Sequence, residues 1–219
     1  MNTVFQNINV GFISKDSKKI NLCLLSYLEK NIEYISYQNH PLGFKYFKLG
    51  NISSFEELRL HVWVNTYEKH DNNLQIHDHS FDFESIVING AINNKKYKVL
   101  KIENSEGYIY DVKFRNEKSR LINSIDNCSI NQTKSDNIKS GEFYFMRSDE
   151  FHESINTKDL TITLLKIIKS GNKIARVFSP KKLRTLSSFE RSTLPQEENI
   201  KLTLKIIEII KNQEKHLDQ

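Results

Sequence analysis

The chain has 219 residues, 38% of them apolar and 27% charged, with seven Gly and three Pro. That composition excludes collagen-like, membrane-embedded and disordered chains. A chain of this length can bury about 70% of its unfolded surface, so it needs neither disulfide nor metal for stability alone, and any metal would be there for chemistry.

The net charge of +5 comes from 32 Lys and Arg against 27 Asp and Glu. Basic residues are scattered in pairs such as Lys18-Lys19, Lys95-Lys96 and Lys181-Lys182. The densest basic stretch, Lys181, Lys182, Arg184 and Arg191, lacks the interleaved aromatics of single-strand binding surfaces, so no nucleic-acid partner is expected. Two cysteines, Cys23 and Cys128, form no CxxC pair and no disulfide framework, and a reducing cytoplasm is the expected compartment. The first 19 residues are interrupted by Asn2, Gln6, Asn7, Asn9 and Lys15, unlike the apolar core of a signal peptide. The sequons at Asn51, Asn127 and Asn131 read as products of an Asn-rich composition.

In chain order, Ile20, Leu24, Leu25, Leu28 and Ile32 recur at helical spacing over 19–32, and His40-Pro41-Leu42-Gly43 punctuates the helix as a turn. Residues 44–49 read as a strand, and Ser53 with Glu56 reads as a capping box opening a short turn of helix. From Arg59 the period becomes two. Leu60, Val62 and Val64 would share one face of a strand, and Arg59, His61 and Trp63 the other.

Strand-like runs follow at 74–79, 85–89, 96–102, 107–114, 143–146 and 160–168. Turn signals at Asp71-Asn72-Asn73, Asn89-Gly90 and Ser170-Gly171-Asn172 separate them. The polar stretch 123–140 is expected to be a long loop. Residues 197–217 carry Ile200, Leu202, Leu204, Ile206, Ile207, Ile209 and Ile210 among Lys201, Lys205 and Lys211, an amphipathic helix too charged to span a membrane. Its apolar face would suit either a homodimer or the covering of a barrel. Many short strands with polar turns favour a mainly β sandwich or closed barrel.

Two histidines at i and i+2 of a strand project from one face, so His77 and His79 could grip one metal ion. In the second half, Gly141 opens the run Phe143-Tyr144-Phe145-Met146, and a turn at Arg147-Ser148-Asp149 leads to His152 and Asn156. These spacings resemble the cupin superfamily. Its first motif, HxH followed by Glu and Gly, is matched by His77, His79, Glu84 and Gly90. Its second motif is matched in spacing by Gly141, His152 and Asn156. Asp71 stands where the first motif begins with Gly, Gly90 arrives one residue early, and Arg147 and Asp149 replace the Pro and Gly of the second.

Within that superfamily, 60–63, 76–79 and 151–156 look most like the cysteine dioxygenase-type thiol dioxygenases, which hold ferrous iron on three His and often carry Cys where this chain has Glu84. The resemblance implies a double-stranded β-helix (jelly-roll) barrel over residues 53–170, an N-terminal helix-and-strand flank over 1–52, and a C-terminal extension with a helix over 171–219. It further implies a divalent metal, Fe(II) first and Zn, Mn, Ni or Cu as alternatives, on His77, His79, Glu84 and His152. The implied activity is an oxygenase acting with dioxygen on a small polar or anionic molecule.

Strand parity bears on Glu84, which lies an odd number of residues from both histidines. It can face the metal only if the strand bends between Ser80 and Phe83; otherwise the site has three His. Arg59 could clamp a substrate carboxylate, with His61 and Trp63 beside it. Tyr97 and Tyr144 could offer hydroxyls to the pocket, and Asp78 and Asp82 could hold backbone or a histidine Nδ1. Two other classes stay open: a non-catalytic metal or small-molecule binding protein, and a metal-assisted isomerase or lyase with Glu84 as general base.

Overall fold

The computed structural model describes residues 3–64, 74–103, 105–115, 118–169, 171–183 and 188–217. The turn expected at Asp71-Asn73 lies outside them, as do Ser170 of the later turn and Arg184 of the basic stretch. The chain opens with two helices, α1 (Thr3–Ser14) and α2 (Ser17–Asn31), followed by a single 3-10 turn. The Asp16 side chain accepts the Lys19 amide at 2.9 Å and caps α2. The sequence reading found α2 but passed over α1, whose Phe5, Ile8 and Phe12 stand at helical spacing and are buried.

Among the described residues twelve strands follow: β1 (Gln38–Asn39), β2 (Lys45–Asn51), β3 (Glu56–Val64), β4 (Phe81–Asn89), β5 (Ala91–Lys101), β6 (Gly107–Arg115), β7 (Lys118–Lys139), β8 (Phe143–Met146), β9 (Phe151–Asn156), β10 (Leu160–Lys169), β11 (Arg176–Ser179) and β12 (Ser188–Glu190). The last element is helix α3 (Gln196–Leu217). One antiparallel sheet has the order β1-β2-β3-β10-β4-β8, the other β11-β6-β7-β5-β9 with β12 paired to β7.

Two facing antiparallel sheets make the architecture a mainly β sandwich, and the expected closed barrel is corrected to this form. The second sheet is nonetheless tied across its edges by residues 76–78. His77 exchanges both backbone hydrogen bonds with His152 of β9, at 3.0 and 2.8 Å, while Ile76 and Asp78 bond to Phe178 and Arg176 of β11.

The period-two pattern of β3 decides which side of the first sheet meets what. Leu58, Leu60 and Val62 are fully buried and join Ile86, Ile88, Ile162 and Leu164 in the main core. That core is completed by Phe5, Ile8 and Phe12 of α1, Ile20, Leu24 and Leu28 of α2, and Ile206, Ile207 and Ile210 of α3. The apolar face of α3 is therefore spent on its own chain. The other face of β3, with Arg59, His61 and Trp63, turns toward the second sheet and lines a cavity.

Three sequence expectations fail for identifiable reasons. All of the expected loop 123–140 except its last residue belongs to β7, which bonds to β6 through its first half and β5 through its second, with Asn127 at φ +56° between them. Cross-strand pairing on both sides overrides the low strand propensity of this Asn-rich stretch. Ser53 does contact Glu56, at 3.3 Å, but its hydroxyl also accepts the Phe55 amide, so the pair closes a bend before β3 instead of a helix. Residues 74–79 are not a regular strand; they cross from one sheet toward the other with single bridges at His77.

Gly90 makes the corner between β4 and β5, which lie in different sheets. Its φ is +81°, and a Cβ there would stand 2.5 Å from Thr161 Oγ1.

Candidate metal centre and its cavity

Each histidine of the expected triad is positioned by backbone pairing. His77 and His152 face each other in the two-way bridge, and the His79 amide donates to the Ser148 carbonyl at 3.1 Å. Ser148 lies in the turn before β9, closed by the Glu150 amide donating to the Arg147 carbonyl at 3.2 Å and by Glu150 Oε2 accepting the Arg147 amide at 3.1 Å. A polar side-chain lock holds this turn.

The three rings converge, with centroids 4.8 Å (His77–His79), 4.6 Å (His77–His152) and 5.0 Å (His79–His152) apart. One ligand atom from each lies within 4.8 Å of the others.

Nδ1 of His77 lies 2.8 Å from the Gln75 carbonyl, and Nδ1 of His152 lies 3.0 Å from the Glu150 carbonyl. A carbonyl can only accept, so these contacts fix the proton on Nδ1 and leave the Nε2 lone pair free. Burial disfavours the charged imidazolium in all three: His77 is held below its ordinary value, His79 well below it, and His152 falls to about 3. The cluster offers neutral nitrogen donors, the set that suits a borderline divalent ion.

Glu84 is not with them, and its assignment as a ligand is corrected. His79, Phe81 and Phe83 continue along one face, with the His79 ring 4.9 Å from Phe81 and 5.2 Å from Phe83. Without a bulge between Ser80 and Phe83, the even position 84 points to the opposite face, toward α1. There Glu84 pairs with Lys15 and, at 3.5 Å, with the buried Lys166.

Tyr97 is likewise on the far side of its sheet, its hydroxyl donating to Glu153 at 3.1 Å. Asp78 binds Arg176, through the side chain at 2.6 and 2.7 Å and through the backbone amide, and Asp82 accepts the Ser148 amide at 2.7 Å. Both carboxylates hold backbone; neither reaches a histidine Nδ1.

The triad opens into a cavity of about 640 Å³ between the sheets. Arg59, His61 and Tyr144 all line it. Arg59 is engaged by Glu57 and lies 5.4 Å over the Phe81 ring. His61, with its pKa depressed to about 3 by burial and by Arg59 and Arg191, is a neutral base, and among the described residues neither ring nitrogen has a hydrogen-bond partner. The Tyr144 hydroxyl, near Ser85 and Asn94, is pushed up to about 12 by burial and stays protonated.

The sequence reading missed the wall opposite the triad. His40, read as part of a turn, stacks on Phe44 at 4.3 Å, and Phe44 stacks on His61 at 4.6 Å. Gly43, at φ +89°, folds the segment so that the His40 amide bonds to the Phe44 carbonyl at 2.7 Å. Arg191, read as part of a surface stretch, also lines this wall.

No protein-family model matches the chain, and no curated protein matches it. Among solved structures it is similar to a chain from crystal structures of DMSP lyases, at 12% identity and a TM-score of 0.33, over 59% of this chain and 49% of that one. The chain spans about half the length of that neighbour. No described helix is long and apolar enough to cross a membrane.

Proposed function

We propose that His77, His79 and His152 hold one divalent metal ion, and that the protein is a metal-dependent enzyme acting on a small polar or anionic molecule in the adjoining cavity. The observation that carries this reading is the convergence of three neutral imidazoles, two with Nδ1 tied to a carbonyl, at the end of a cavity of ligand size. A bound ion would supply Lewis acidity and open coordination positions, Fe(II) being the first choice for reaction with dioxygen and Mn, Ni, Cu or Zn the alternatives. Three uncharged donors leave its full double charge to attract an anionic group.

The chain's own residues supply orientation. Arg59, paired with Glu57, shapes the wall over Phe81, and Tyr144 can donate a hydrogen bond into the cavity. Phe81 and Phe83 pack on His79 and keep bulk water from that side of the triad.

A second reading, a metal-assisted lyase or isomerase, is favoured by His61. With Glu84 turned away, His61 offers the cavity wall a neutral imidazole nitrogen with no partner among the described residues, a hydrogen-bond acceptor for an acidic proton of a bound molecule.

The test is elemental analysis of protein purified without added metal and without a His tag, beside His77→Ala. Near-stoichiometric metal that disappears in the variant is expected; equal metal in both overturns the site. Oxygen uptake with thiols or small acids supports the oxygenase, whereas product formed without oxygen supports the second reading.

A further inference from the structure

The cavity has a second chemical end. Among the described residues its lining carries Lys48, Arg59, Lys113, Lys173 and Arg191 but a single carboxylate, Asp78, which is already held by Arg176. Lys48, Lys113 and Lys173 are exposed. Arg59 is neutralised by Glu57. Arg191 differs from all of these.

Its guanidinium is held between two rings, 5.6 Å from the Tyr46 centroid and 4.7 Å from that of Phe114. Its Nη1 donates to the Tyr46 hydroxyl at 3.2 Å, and that hydroxyl donates in turn to Gln38. This bond uses one of five N–H donors. The Nε atom is buried without a partner, and among the described residues no carboxylate pairs with Arg191. Trp63 Nε1, on the same wall and packed on Phe44 at 4.4 Å, is a second buried donor without an acceptor.

A stacked, positioned guanidinium with no counter-charge is arranged for an oxyanion from outside the chain. We propose that Arg191 is the anion-binding residue of this cavity, and that the ligand carries a carboxylate or phosphate at the Arg191 end and an apolar body against Phe44 and Trp63. The inference deepens the reading of the cavity as a substrate site and does not require the metal. Arg59, the residue that sequence spacing singles out for this task, is satisfied by its own neighbour.

Trp63 is the single tryptophan of the chain and reports directly on this wall. Its fluorescence would be titrated with benzoate, succinate and inorganic phosphate, and metal content measured on the same samples. A saturable change is expected with benzoate or succinate if the group is a carboxylate and with phosphate if it is a phosphate. Arg191→Gln should weaken the better probe by about tenfold or more, Arg191→Lys by less, and Arg59→Gln least.

In unmodified protein, the same probe should slow butanedione labelling of Arg191, mapped by peptide mass spectrometry. This arm needs no variant to fold. No saturable binding by any probe, unchanged affinity in Arg191→Gln, or labelling indifferent to the probe would each overturn the inference. Metal-free protein that still binds the anion through Arg191 would sink the metal reading and leave this one standing.

Discussion

His77 and His152 are bound to each other twice over: each donates its amide to the other's carbonyl, at 3.0 and 2.8 Å, and their rings stand 4.6 Å apart. Residues far apart in sequence are thereby set as direct neighbours by backbone alone, before any ion contributes. The rings are presented by backbone pairing that uses neither side chain.

It follows that His152→Ala should lose metal and keep its fold. Removal of one of three donors should weaken metal binding beyond the roughly 10–100-fold typical of losing a group that merely orients a ligand. Dialysis followed by elemental analysis gives the metal content, and circular dichroism the fold. Unfolding without metal loss would contradict this account.

Glu84→Ala separates the observed site from the four-ligand one. Metal content should be unchanged. Stability should fall by about 3 kcal/mol, because the buried Lys166 ammonium loses its counter-charge. Urea unfolding measures the loss, and the double variant Glu84→Leu, Lys166→Met should recover much of it.

Metal itself should stabilise the fold, since the ligands lie on two segments that separate on unfolding. At a hundredfold excess over Kd the gain is about 2.7 kcal/mol. For a chain of this length that raises Tm by about 5–10 °C. Differential scanning calorimetry with and without chelator reads it directly, and His77→Ala should show no such difference.

Gly90→Ala should destabilise the protein by about 2 kcal/mol. The added Cβ would require φ near +81° and would stand 2.5 Å from Thr161 Oγ1 and 2.7 Å from the Leu160 carbonyl. Thermal melts of the variant against the parent test the corner between the sheets.

What was readable in the sequence was whatever a short period could encode. Alternation in β3 separated Leu60, Val62 and Val64, the first two buried under the helices and the third packed against that core, from Arg59, His61 and Trp63 on the cavity wall. The HxH pair and its distance to His152 pointed to the triad, and the odd offset of Glu84 carried the warning that the structure upholds.

Long-range pairing was not readable. The polar composition of β7 describes a loop until β5 and β6 are laid on either side of it. Arg191 and His40 carry no local mark of a binding role. Both reach the cavity only because α3 and the first sheet fold the ends of the chain together, as the Leu194 amide does by bonding to the Tyr37 carbonyl at 2.9 Å.

The tie through Ile76, His77 and Asp78 has a bearing on solubility. Strands β9 and β11 end the second sheet, and unpaired strand edges are templates for joining another chain. Residues 76–78 occupy both edges at once, so the stretch that carries the first histidine of the triad also shields this sheet from edge-to-edge association. Conditions that free this stretch would expose two sticky borders together, and loss of the metal centre and aggregation would share a common origin.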